Sequence, residues 1–92
     1  MTVVLEGYIR VPPNEIKTLR YKLQAHIEQT LDEESCLAFE VTQDDHDPGV
    51  FHVFEKFVDE EAFNAHQARI KVSEWGAVSK NVIRFYCKRR EA

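Results

Sequence analysis

Glu55 and His66 fall within one short stretch, Phe51 to His66, whose two halves differ in character. The first half, Phe-His-Val-Phe-Glu-Lys-Phe-Val, is filled with aromatic and β-branched residues and reads as a strand. The second half, Asp-Glu-Glu-Ala-Phe-Asn-Ala-His, opens a helix: Asp59 is an N-cap, and Glu60 and Glu61 suit the positive end of the helix dipole. Glu55 therefore comes near the strand's end, and His66 comes two turns into the helix. Phe63, His66 and Ile70 recur at i, i+3 and i+7, so His66 shares the apolar face that must cover a sheet. An imidazole directed into apolar space is a candidate for proton chemistry. The structural alternative is a buried histidine that merely hydrogen-bonds a backbone carbonyl.

Other chemistry-bearing residues have ordinary readings. His52 alternates with Phe51 and Val53 and is expected to be structural, while His26 sits beside Ile27 on a helix and is expected to be partly exposed. Asp44, Asp45, His46 and Asp47 match neither a calcium-loop nor a zinc spacing, and the following Pro48-Gly49 marks a turn. Glu40 and Glu55 would raise one another's pKa if the strand register opposed them. Trp75 is either core or a pocket wall. Cys36 and Cys87 have no metal or redox spacing and read as reduced, half-buried side chains.

The elements that would carry these residues follow from periodicity. Thr2 to Arg10 alternates as a strand, with Val3, Leu5, Gly7 and Ile9 on one face and Val4, Glu6, Tyr8 and Arg10 on the other. Pro12-Pro13 ends it and presets a helix from about Glu15 to Leu31, whose stripe is Ile16, Leu19, Leu23, Ile27 and Thr30 or Leu31. Cys36 to Thr42 and Val50 to Val58 are strands joined by a polar hairpin, with Leu37, Phe39 and Val41 sharing a face. Asp59 to about Lys80 is helical with a bend near Ser73, and Asn81 to Lys88 is the last strand. The order β-α-β-β-α-β predicts a ferredoxin-like α+β domain over residues 1–92, with a four-stranded antiparallel sheet and both helices on one face. Apolar residues on both strand faces, among them Phe54, Tyr8 and Val4 opposite the helix side, predict a homodimer packed sheet against sheet.

Bulk properties narrow the partners. At 43% hydrophobic and 30% charged residues the chain has the composition of a soluble globular protein. A net charge of −4 argues against nucleic acid, and the basic Lys88-Arg89-Arg90 reads as a solvated, frayed end. No apolar run reaches membrane-spanning length and no leader pattern precedes the first strand, so no membrane partner and a cytoplasmic location are expected.

With this element order, the segment Glu55-x-Phe57-x-Asp59-x-x-Ala62-Phe63-x-x-His66 and the turn Ser35-Cys36-Leu37 resemble the antibiotic biosynthesis monooxygenase (ABM) domain family over nearly the whole chain. Two departures are visible: Lys71 stands where many members carry a second histidine, and Trp75 follows the helix histidine, whereas heme-degrading relatives place a tryptophan before it. The resemblance implies a homodimeric α+β barrel with a pocket between each sheet and its helices. It also implies oxidation of a small aromatic or quinol by molecular oxygen without flavin, heme or metal. In that setting His66 is the expected catalytic base, with Glu55, Phe63 and Trp75 binding a small-molecule substrate. A non-catalytic small-molecule-binding dimer and an isomerase on the same scaffold remain alternatives.

Overall fold

The computed structural model describes residues 1–92. Alternating apolar residues form β1 (Thr2–Arg10), and Pro12 and Pro13 close it into a 3-10 turn (Pro13–Glu15) that feeds α1 (Ile16–Leu31). Two strands follow, β2 (Cys36–Gln43) and β3 (Val50–Phe57), then α2 (Glu60–Lys71), α3 (Glu74–Val78) and β4 (Ile83–Glu91). The strands order as β2-β3-β1-β4, every pair antiparallel. This is the expected ferredoxin-like β-α-β-β-α-β arrangement, with the second helix delivered in two pieces.

The break in that helix has a local cause. Ser73, whose residue type marks a bend and a fresh N-cap before Glu74, does cap a new helix, and the bend is a full break between α2 and α3. Its hydroxyl donates to Ile70 O at 2.8 Å and accepts from Gly76 N at 3.1 Å, closing one helix and capping the next. Gly76 permits the fold-back, because a Cβ there would lie 2.1 Å from the Ile70 carbonyl oxygen. At the other end of α2, Asp59 caps as its sequence suggests, accepting from Ala62 N at 2.8 Å.

Three further expectations change. Leu37 does not share a face with Phe39 and Val41: a register shift between Cys36 and Ala38 turns it out, and it is exposed. Glu40 lies opposite Phe54, whereas Glu55 lies opposite Phe39, so the two carboxylates are on different faces of the sheet. The basic tail is not frayed. β4 runs on to Glu91, with Lys88 and Arg90 paired to Glu60 and Arg89 paired to Glu6 and Glu91.

Against the helices the sheet buries two apolar groups rather than one continuous core. Ile9, Val11, Leu19, Leu23, Phe51, Val53 and Val82 form the larger, and Val3, Leu5, Phe57 and Phe63 the smaller. Each fully buried aliphatic or aromatic side chain in them contributes about 1.5–3 kcal/mol. The opposite sheet face is mixed. Tyr8 and Phe85 stack there at 4.8 Å and stay partly exposed, while Val4 is wholly buried between its cross-strand neighbours Lys56 and Arg89. Cys36 and Cys87 are free thiols on the sheet's two opposite edge strands, Cys36 partly buried and Cys87 exposed. No helix is long and apolar enough to cross a membrane.

Candidate functional site

Between the two apolar groups lies a tier of buried polar side chains: Glu55 from β3, His66 from α2, and His26 and Thr30 from α1. Glu55 is there because the strand's two-residue period carries it onto the helix-facing side with Val53 and Phe57. His66 is there because the helical period carries it inward with Phe63, and both are buried. The rows of the sheet align Phe39, Glu55, Leu5 and Lys88 across all four strands.

His66 is held from one side by a carboxylate the sequence did not single out. Glu33, in the turn after α1, places Oε2 3.0 Å from His66 Nδ1, and its other oxygen takes the Nε–H of Arg69. Arg69 also donates to Thr30 Oγ1 at 3.1 Å, and Thr30 in turn donates to the His26 carbonyl at 2.9 Å. The far nitrogen of His66, Nε2, lies 3.7 Å from Glu55 Oε1, beyond hydrogen-bonding distance. Both of these atoms, and His26 Nδ1, are buried without a hydrogen-bond partner. Unpartnered polar atoms in a native interior are uncommon, and two of these face each other across 3.7 Å.

A cavity of about 290 Å³ opens beside this tier. Leu5, Ile9, Val53 and Glu55 contribute to it from the sheet, and Leu23, His26, Phe63, Ile70 and Trp75 from the helices. Arg84 and Tyr86 line it from the edge strand β4. Of the residues expected to bind substrate, the structure thus brings Glu55, Phe63 and Trp75 together on one wall system. His66 contributes no surface to that wall; it packs beyond Glu55 against the Phe57 ring at 4.7 Å. Trp75 stacks on His26 with ring centroids 5.0 Å apart and planes 9° from parallel.

Electrostatics divide the roles. Burial, reinforced by the neighbouring Glu33 charge and opposed by Arg84, pushes the Glu55 carboxyl up to about 7. His26, expected to be partly exposed, is buried; desolvation, then His66, Arg69 and Arg84, lower it to about 4, so it is neutral at pH 7. Burial also lowers His66, against the raising effect of Glu33. The Tyr86 hydroxyl is pushed up to about 12, by desolvation first and by Glu55 second. No three His, Cys, Asp or Glu side chains converge in a way that would hold a metal ion.

His26, Glu33, Arg69, Arg84 and Tyr86 were not expected at a site. A signal existed for His26: the buried α1 positions Leu19, Leu23, His26 and Thr30 are spaced by alternating fours and threes. Glu33 and Arg69 carry none, because their contact is made between segments 36 residues apart.

The sequence matches no curated protein. Solved structures share the fold. A protein of Deinococcus radiodurans described as a candidate antibiotic biosynthesis monooxygenase is 22% identical, with a TM-score of 0.81 over 100% of this chain and 93% of that one. A similarly described protein of Chloroflexus aurantiacus is 21% identical, with a TM-score of 0.79 over 100% and 94%. A Mycobacterium tuberculosis protein is 21% identical, with a TM-score of 0.77 over 97% and 91%. The sequence profile of the family described as antibiotic biosynthesis monooxygenase matches residues 2–77, from the first strand into the capped α3 and including Glu55, His66 and Trp75. With that match over most of its length and the fold to accompany it, the chain belongs to the antibiotic biosynthesis monooxygenase family.

Proposed function

We propose that the protein is a monooxygenase that oxidises a small hydroxyaromatic or quinol with molecular oxygen, needing no flavin, heme or metal. The observation that carries this reading is Glu55: a single ionisable carboxyl on the wall of an apolar cavity, raised to about 7, with His66 behind it. A carboxylate with an ordinary pKa is a poor base toward a phenol. One raised toward neutrality loses less driving force in taking the proton and is still partly ionised at pH 7.

The reaction balances with one borrowed proton. The Glu55–His66 pair takes the substrate O–H proton, and the resulting phenolate gives one electron to oxygen. The radical pair joins to form a carbon–oxygen bond at a ring carbon that carries hydrogen. The borrowed proton returns to the peroxide oxygen. The ring C–H proton and the outer oxygen then leave as water, giving a quinone. Apolar walls, including Phe63 and Trp75, keep water from the anion while oxygen reacts.

The same reading includes a homodimer, supported by the partly exposed Tyr8, Ile83 and Phe85 on the sheet face away from the helices. Sedimentation at micromolar concentration is expected to show about twice the 10.8 kDa chain mass. A stable monomer would remove that part.

The direct test is oxygen consumption with a panel of hydroquinones and hydroxynaphthalenes in metal-chelated buffer. One oxygen molecule consumed per quinone formed is expected, with activity retained after chelation. Conversion of substrate without oxygen uptake would move the assignment to isomerisation. A thermal shift without turnover would leave a binding protein.

A further inference from the structure

Glu55 and His66 lie in the interior, yet a protonatable group in a cavity that substrate fills must still reach equilibrium with solvent. The structure offers a line of neighbouring polar groups for this. Glu55 and His66 have side-chain exposures of 7% and 0%, and beyond His66 exposure rises to 21% at Glu33 and 31% at Arg69. Glu33 is the carboxylate of this group nearest to water, and it touches the opposite nitrogen of the same imidazole that faces Glu55.

We propose that Glu55, His66 and Glu33 form a proton pathway between the cavity and the protein surface, with Glu33 as its outer station. It rests on the oxygenase reading for its use in turnover, though not for its existence. The pathway uses the tautomer in which Glu33 accepts from His66 Nδ1–H across their 3.0 Å contact, which leaves the Nε2 lone pair toward Glu55 Oε1. The present 3.7 Å separation needs to close by less than about 1 Å for a hydrogen bond to form. A proton leaving Glu55 binds Nε2, the Nδ1 proton passes to Glu33, and Glu33 releases it to water. The return proton runs the same steps backward and restores the original tautomer. One proton borrowed and one returned per turnover therefore resets the imidazole each cycle without rotating its packed ring.

Other groups bear on these three. His26 faces them from α1, Arg69 from α2, Cys36 from β2, and Arg84 and Tyr86 from β4. Arg69 holds Glu33 in place through its Nε–H, so the second carboxylate oxygen stays aimed at His66 Nδ1. Glu33, Arg69 and His66 make Glu33 a positioning residue as well: it selects the tautomer in which His66 can receive.

The wild-type protein alone provides the first test, by nitrogen-15 histidine and carbon-13 carboxyl NMR over pH 4–9. We expect His66 as the Nδ1–H tautomer, and Glu55 and His66 resonances that each report the other's titration. Glu33→Gln preserves the shape of the contact while removing the proton acceptor and the charge. It should lower the titration midpoints of both Glu55 and His66, since the Glu33 charge raises each. In turnover it should lower kcat roughly 10- to 100-fold with little change in KM, and Glu33→Asp should restore part of the loss. An Nε2–H tautomer in the wild type, or midpoints unmoved in Glu33→Gln, would overturn the pathway. Coupled titrations in a protein that oxidises no hydroxyaromatic would uphold it and remove the oxygenase reading instead. Normal turnover in Glu33→Gln with uncoupled titrations would do the reverse.

Discussion

Two histidine–carboxylate pairs use the same residue chemistry in opposite surroundings. On the β2–β3 hairpin, His52 Nε2 lies 2.8 Å from Asp44 Oδ1 with side-chain exposures of 55% and 28%. In the interior, His66 has no exposed side-chain surface and lies between Glu33 at 3.0 Å and Glu55 at 3.7 Å. The carboxyls respond in opposite directions. Hydrogen bonds from His52 first, then from the backbone of His46 and Asp47, pull Asp44 down to about 2. Glu55 has no donor on its buried oxygen and rises to about 7 because water is excluded. Proximity of histidine and carboxylate therefore does not set the chemistry. Solvation and the count of donors do: the hairpin pair is a locked turn, and the interior pair holds a proton that can move.

The comparison breaks most visibly in activity. Glu55→Gln keeps volume and polarity but cannot accept a proton, so turnover with the best hydroxyaromatic should fall roughly 1,000-fold, measured as kcat/KM. Activity within a few-fold of wild type would put the base elsewhere. His66→Ala should cost roughly 100-fold, because Glu55 loses the partner that shares its proton. It also opens a void between Phe57 and Phe39, so it should lose about 2–4 kcal/mol of unfolding free energy. A variant that melts lower but turns over normally would make His66 a packing residue only.

Stability against pH sharpens the contrast. Below its ordinary value of 4.5, Glu55 is protonated in both folded and unfolded chains. Between 4.5 and about 7 the unfolded chain releases that proton and the folded chain keeps it, so stability declines as pH rises. The full loss is on the order of 3 kcal/mol. His26 acts with the opposite sign: between its ordinary 6.5 and its folded value of about 4, stability declines as pH falls. The two slopes oppose one another in the overlap. Urea denaturation should therefore show Glu55→Gln equal to wild type near pH 4 and progressively more stable toward about pH 8. A constant difference across that range would mean that Glu55 titrates in the folded protein as it does in the unfolded chain.

How far the sequence foretells this contrast depends on the range of each interaction. Asp59 as a cap, the turn at Asp44–Gly49 and the inward faces of Glu55 and His66 are local consequences of period and residue type, and all are found in place. His26 is harder to read because Ile27 competes for the same helical stripe; both pack inward, His26 fully, between Phe39 and Trp75. Glu33 was hidden for a different reason. It lies in a polar turn with no periodicity, and its function arises when the C-terminal half of α2 brings His66 and Arg69 to the end of α1. Leu37 shows the same limit at smaller scale, where a bulge redirects a strand whose local pattern reads as continuous, whereas the second cap at Ser73 is legible from residue type alone.

The smallest effect should come from the pair with the shortest histidine–carboxylate contact, 2.8 Å between His52 and Asp44. His52→Ala removes a 2.8 Å contact, yet the imidazole is more than half exposed and Asp44 keeps its bonds from His46 N at 3.0 Å and Asp47 N at 2.9 Å. Gly49 N remains held by Asp47 Oδ1 at 3.0 Å, so the hairpin retains the bonds that define its turn. An exposed ion pair of this kind contributes little because water and salt compete for both partners. The thermal midpoint should move by less than ~3 °C, and oxygen uptake should remain within about 2-fold of wild type. The Asp44 carboxyl, losing its largest favourable partner, should titrate at higher pH in the variant, read by carbon-13 NMR. A loss of turnover comparable to that of His66→Ala would place chemistry on the outer face of the sheet, where His52 opposes Tyr8, and would reverse the roles assigned to the two pairs.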